Sequence, residues 1–355
     1  MKDFLTGAGV IFSLEMRQRL RGVAWYVLLG VFFGILLLIT VGMSIVLFAD
    51  DNANTDQSVG APLYSLVIYF VLLLGVLVAP AMSGNAINGD RDAGTLATTQ
   101  VTLITTWQLI FGKFLAAWAT ALGFLAVSVP FLVYAAVVGG PNAITVLVSL
   151  LVLVAELGVV AAIGVGLSGL IVRPLFSVVV TYLSVAALTL GTLIAFTLGG
   201  LAVTTRTVQY SYNNITQSSK TCTGLETYTS NVPRFDLDWG ILAPNPFVVL
   251  SDAVPTTYDH SGNPSDLFGD FKLSERGAQQ SPFIDNTPAR ACTEDLADTS
   301  GDGSGPSARS VIDRTAPSWA VGLAIQLVLA VAALIGAWAK TRTPARRLAK
   351  GSRVA

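Results

Sequence analysis

The chain has 355 residues, of which 53% are hydrophobic and 12% charged, with a formal net charge of −1. Soluble domains carry roughly a quarter charged residues, which excludes an ordinary water-soluble globule as the main architecture. The near-zero charge balance gives no footprint for nucleic acid, and the basic C-terminal end reads as a membrane-side anchor.

Residues 1–22 come first. Leu5, Ala8, Phe12, Met16 and Leu20 recur at helical spacing, with Arg17 and Arg21 off that face, which predicts a helix lying in the membrane surface. Glu15 and Arg19 interrupt the edge of this apolar stripe. Six apolar runs follow, at approximately 23–49, 63–83, 107–138, 144–172, 176–203 and 319–339. Each can cross roughly 30 Å of hydrocarbon at helical rise, and backbone groups in lipid must pair internally. The expected fold class is therefore an all-α polytopic membrane protein, with spans one to five in residues 23–203 and the sixth at 319–339. The first run exceeds the apolar core of a typical signal peptide and lacks an obvious cleavage site.

Short-loop charges orient the spans. Lys2, Arg17, Arg19 and Arg21 precede span one, Arg91 and Lys113 flank the connection between spans two and three, and Arg173 lies between spans four and five. Lys340, Arg342, Arg346, Arg347, Lys350 and Arg353 follow span six, whereas Asp50, Asp51 and Asp56 fall on the opposite side. Both termini are expected in the cytoplasm, with residues 340–355 a basic tail touching anionic lipid. Trp25, Trp107 and Trp338 fall at the inner boundary and Trp319 at the outer one.

The connection at 84–106 is longer than a turn requires. It holds Asp90-Arg91-Asp92, then Gly94-Thr95-Leu96, and leads through Thr105-Thr106-Trp107-Gln108 to Gly112-Lys113. Gly94 can end one helical element, Thr95 can cap another, and Thr105 or Thr106 can cap span three. Together with the six spans, this segment resembles the coupling loop of bacterial ABC exporter permeases of the drug, lipid and polysaccharide class. The resemblance implies that 1–22 is an elbow helix. It also implies a coupling helix around Leu96–Val101 that docks on an ATPase, with Asp90, Arg91, Asp92, Gly94, Thr95, Leu96 and Val101 as the coupling residues. The implied partners are two ABC ATPase subunits, a second permease chain (the same or different) and membrane lipid, in a bacterial plasma membrane. Some positions depart from the family pattern: Ala97 replaces an acidic residue, Thr99-Gln100 replaces Leu-Leu, and Leu103 stands where proline is usual. These departures point to one half of a heteromeric pair.

The chain itself lacks a Gly-x4-Gly-Lys-Ser/Thr phosphate loop, because Gly112-Lys113 is followed by Phe114 at the start of a span. It is therefore expected to bind no cofactor and catalyse no reaction, with ATP and Mg held by the partner ATPase. No metal-ligand cluster is apparent, and the lone His260 lies in a Pro/Asp/Gly loop.

Within the spans, Glu156 is an intramembrane carboxylate costing roughly 2.5–3.5 kcal/mol on insertion scales if ionised. Two readings stand beside each other: a substrate or proton contact, and a helix–helix hydrogen bond for which Gln326 is a candidate partner. Gly164, Gly166 and Gly169 mark span four as a close-packing helix. The family resemblance places the pathway along spans two and five, where Tyr69, Phe70, Ser184, Thr189 and Thr192 are the candidate lining residues. Apolar walls with scattered hydroxyls suit an amphipathic or lipid-like cargo. Pro80 and Pro130 are candidate kinks in spans two and three.

The segment 204–318 is too long for a connector and is expected on the outer side as a domain. Thr207-Val-Gln-Tyr210-Ser-Tyr212 predicts extended structure, and the later part, rich in Gly, Ser, Pro, Asp and Asn, predicts loop. Both cysteines, Cys222 and Cys292, fall here, so a disulfide is the favoured reading over two separate thiols. Asn245-Pro246-Phe247 before an apolar run is similar to the segment preceding the last span of many such permeases. Residues 247–250 then either lie on the outer leaflet or form a buried turn. A membrane receptor whose outer segment binds a ligand is the alternative function, and an intramembrane enzyme using Glu156 ranks behind it.

Overall fold

A computed structural model describes residues 2–49, 60–94, 104–216, 221–259, 262–281 and 307–341. Caps and breakers set most of its helix ends. The first helix, α1, spans Lys2–Arg21, and Gly22 separates it from α2, Val23–Ala49, which is span one. Span two is α3, Gly60–Ser83, followed by the short α4, Asn88–Asp92. Span three is α5, Thr106–Gly139, closed by Gly140 at φ 54°, where the left-handed backbone favours glycine. Asn142 then caps span four, α6, Ala143–Leu170, by accepting from the Ile144 amide. Pro174 opens span five, which runs as α7, Pro174–Ala186, a π turn at Ala187–Gly191 and α8, Thr192–Ala202. Span six is Trp319–Thr341. Among the described residues these six helices are long and apolar enough to cross a membrane, and a small insertion separates the fifth from the sixth.

The chain divides into two compact units, residues 1–188 with 323–355, and residues 189–322. In the first, span four is the core, with 61% of its apolar window buried against 22% for span one. Apolar association has little driving force in lipid, so close packing decides such contacts. A Cβ on Gly166 would sit 2.5 Å from the Ala333 methyl of span six, and one on Gly169 would collide with Ala337. Ile87, Ile110, Ala117, Ala161, Val165 and Ala337 complete a buried cluster around this contact.

The second unit holds the antiparallel hairpin β1, Thr204–Thr216, and β2, Thr221–Pro233, in register from Thr204↔Pro233 to Thr216↔Thr221. The alternation at 207–212 therefore forms the extended structure it predicts. Asn245 caps the helix α9, Pro246–Ala253, with its side chain accepting from the Phe247 amide and Pro246 in the first turn. Val249 and Leu250 of that helix are fully buried, which favours the buried reading of 247–250 over a stretch laid on the leaflet. Helix α10, Leu267–Ala278, packs beside it, and α11, Ala308–Arg314, precedes span six. Cys222 pairs with Ile215 in the hairpin ladder, while Cys292 and His260 lie outside the described residues.

Candidate functional site

Span three begins with a capping box. The Thr105 hydroxyl accepts from the Gln108 amide, and the Gln108 side chain accepts from the Thr105 amide at 2.7 Å. Gln108 Nε2 also donates to the Phe4 carbonyl, so one side chain fixes both the start of span three and the start of α1. The two helices touch through glycines. A Cβ on Gly7 would lie 2.5 Å from Gln108, and one on Gly112 would lie 2.7 Å from the Ala8 carbonyl.

Beside Gly112, Lys113 is buried to 1% exposure and pairs with two carboxylates from different elements. Its ammonium lies 2.7 Å from Asp90 of α4 and also donates to Glu15 of α1. Glu15 in turn faces Arg19, whose Nη1 donates to Thr120 of span three at 3.1 Å. Burial pushes the Arg19 guanidinium below its ordinary range, an effect that Glu15 partly offsets. Span three thus presents Gln108, Lys113 and Thr120 to α1, and Lys113 reaches α4 as well.

The helix α4 is itself bolted to the bundle. The Ile87 and Asn88 amides donate to Ser168 of span four at 2.9 and 3.1 Å, and Asn88 Nδ2 donates to the Ile171 carbonyl. Ser177 of span five donates to the Gly84 carbonyl at 2.7 Å. The acid–base–acid run is divided by this arrangement. Asp90 turns in to Lys113, Arg91 donates to Asn88 at 2.8 Å, and Asp92 is exposed. Gly94 follows at φ 68°, a left-handed turn that ends the segment. Thr95, Leu96 and Val101, and with them the expected coupling helix, lie outside the described residues. At the same end, Trp107 stacks on Trp338 of span six with centroids 5.5 Å apart.

The other candidate residues fall elsewhere. Glu156 is fully buried in span four with Gln326 as its polar neighbour, yet neither carboxyl oxygen closes a well-formed hydrogen bond among the described residues. Tyr69 and Phe70 are half-buried on span two. Ser184 donates to the Val180 carbonyl at 2.8 Å, as helical serines do when they turn back on their own backbone. Thr192 is bound instead to the segment between spans five and six: Asn245 Nδ2 donates to its hydroxyl at 3.0 Å and to the Thr189 carbonyl at 2.8 Å.

A second polar cluster, which the sequence reading missed, lies in the unit of residues 189–322. Asp252 accepts from Arg276 Nε at 2.7 Å and from the Ser318 and Trp319 amides at 2.7 and 2.9 Å, which caps the start of span six. Arg276 reaches on to the Thr315 carbonyl at 2.7 Å, and Lys272 donates to the Val254 carbonyl. Burial raises the Asp266 and Glu275 carboxyls above their usual range and lowers the Lys272 ammonium. Glu15 was legible as an intruder on an apolar stripe. Asn88, Ser168 and Asp252 carried no such signal, because polar residues near span ends are common. No family model and no curated protein matches this chain.

Proposed function

We propose that this chain is the membrane-spanning subunit of an ATP-driven ABC exporter, forming a pathway for an amphipathic or lipid-like substrate. The observation that carries the reading is the buried Lys113, which joins the connection after span two, the surface helix and span three at one point. A force applied to the connection would be carried through Asp90 and Lys113 into span three, and through Glu15 into α1. Such a junction supports a segment that receives motion from a partner rather than a passive turn.

In this reading both termini lie in the cytoplasm of a bacterial cell, and two such permease chains meet two separate ATPase subunits. Those ATPases hold the nucleotide and Mg, and their closure pushes on residues 94–101. The chain supplies the pathway, with no catalytic step of its own. Gentle purification from native membranes tests the proposal. A co-eluting phosphate-loop ATPase with vanadate-sensitive turnover is the expected result, and it would also reveal whether a second permease is present. Leu96→Asp should then uncouple that turnover from transport. A chain that elutes alone, or with a soluble ligand on its outer segment, would replace this reading with the receptor-like one.

A further inference from the structure

We infer that α9 is a strut that makes the end of span five and the start of span six move as one body, with the π turn of span five as its hinge. The strut is gripped at both of its ends. At the first, Asn245 divides its side-chain amide between two tasks. Its Oδ1 accepts from the Phe247 amide at 2.9 Å and so caps α9, while its Nδ2 donates to the Thr189 carbonyl at 2.8 Å and to the Thr192 hydroxyl at 3.0 Å. At the other end, Asp252 accepts from the Ser318 and Trp319 amides at 2.7 and 2.9 Å, which are among the donors that a helix start leaves without partners. Between the two grips, a Cβ on Gly322 would collide with the Ala243 carbonyl and lie 2.8 Å from Val249, so span six sits directly against the strut.

The point that Asn245 grips is the irregular one on span five. The π turn at Ala187–Gly191 leaves 13 residues of α-helix before it and 11 after it. A turn of this kind interrupts the regular hydrogen-bond ladder, and it is one of the few places where a long helix bends sharply. The Thr189 carbonyl within it also accepts from the Thr192 hydroxyl at 3.1 Å, so side chains of two elements hold one carbonyl of the turn. The chain's division into compact units falls inside the same turn, between Leu188 and Thr189, and again between Gly322 and Leu323 of span six. Every contact of the strut named here thus belongs to residues 189–322. Asn245 and Asp252 are both buried, so water does not compete for either grip. An eight-residue helix fixed in this way transmits a shift of one span to the other unless a buried hydrogen bond breaks. The coupling requires no ATPase and does not rest on the transport reading.

Amide hydrogen exchange of the full chain in lipid nanodiscs, followed by mass spectrometry, tests the strut. In the wild type, residues 187–191 should exchange faster than residues 177–183 of the same span. Asn245→Asp keeps the cap of α9, because aspartate caps as well as asparagine, but removes the donor to span five. It should speed exchange about ten-fold at residues 187–193 and about five-fold at residues 318–322, which Asn245 does not cap, while span four keeps its protection. Asp252→Ala, which touches no part of span five, should in turn speed exchange at residues 187–193. Variants that each loosen only their own end would make Asn245 and Asp252 two separate caps and overturn the strut. Wild-type exchange at 187–191 no faster than at 177–183 overturns the hinge, and that comparison stands even where a variant fails to fold.

Discussion

The Lys113 ammonium of span three stands 2.7 Å from the Asp90 carboxylate of the short helix that follows span two. Only 1% of the Lys113 side chain is exposed, against 31% for Asp90, so the lysine is the buried member of the pair. Glu15 is the second acceptor of the same ammonium, which leaves the lysine with an acidic partner from each of two neighbouring helices. Desolvating a charge is tolerable only when its partners are in place, and this junction supplies them from segments far apart in sequence.

Removing the lysine should cost more than removing either acid. Lys113→Met leaves Asp90 without its cation and Glu15 with only the more distant Arg19, and it empties a buried site, which together should cost about 2–4 kcal/mol. Asp90→Asn leaves Glu15 to neutralise the ammonium and should cost about 1–2 kcal/mol. The triple variant Lys113→Met, Asp90→Asn, Glu15→Gln should recover most of the loss. Thermal unfolding in detergent is the measurement, and a Lys113→Met protein as stable as wild type would remove the junction from the argument.

The glycine before this lysine carries its own prediction. A Cβ on Gly112 would meet both the Ala8 carbonyl and Ile11 Cβ at 2.7 Å, so Gly112→Ala must push α1 away from span three. Overpacking of this kind costs typically about 1–3 kcal/mol. Gly34→Ala, in the open on span one, meets nothing and should be neutral or gain up to about 1 kcal/mol from helix propensity. The two variants compared by melting temperature separate the contact from the propensity term; equal shifts would mean that α1 is not held at this site.

The spans were legible because length and apolarity alone decide what crosses a membrane, and the predicted run at 23–49 coincides with Val23–Ala49. The cap of span three was legible as one of two adjacent threonines, since its function is local, and Thr105 is the one that fills it. The Asp90–Lys113 pair was not: both residues stood out in the motif, but nothing in spacing says that they meet. Glu15 was visible as a break in an amphipathic stripe, and the structure gives the reason, because the break faces a buried cation. In span five the hydroxyl pattern is explained in part by local bonding. Ser184 bonds its own backbone and Thr192 holds Asn245, contacts that periodicity cannot distinguish from a polar lining.

The polar cluster around Asp252 should make stability depend on pH through Glu275. Burial, reinforced by Asp252, raises the folded Glu275 carboxyl above its ordinary 4.5, so the folded state holds the proton more tightly than the unfolded chain. Stability from this group is therefore greatest at or below pH 4.5 and falls as pH rises through the raised value. Glu275→Gln removes that dependence. At neutral pH the variant should melt higher than wild type, and the gap should close as the pH is lowered toward 4.5. Melting curves of both proteins across this range decide the matter, and a gap that widens in acid would reverse the sign and defeat the account.

Glu156 offers the sharpest division between a structural and a transporting role. It is fully buried in span four, neither carboxyl oxygen closes a well-formed hydrogen bond among the described residues, and Gln326 is the polar group beside it. A carboxyl so enclosed has no route by which cargo could touch it, which favours the helix–helix reading. Glu156→Gln keeps the shape and a polar group beside Gln326, so the melting temperature should hold. Glu156→Ala leaves a cavity in the best-packed span and should cost about 2–4 kcal/mol. If the proposed transport function holds, vesicles reconstituted with this chain and its ATPase should carry substrate at the wild-type rate with Glu156→Gln. A variant that melts normally but no longer transports would move this carboxyl from the packing of the bundle into the pathway.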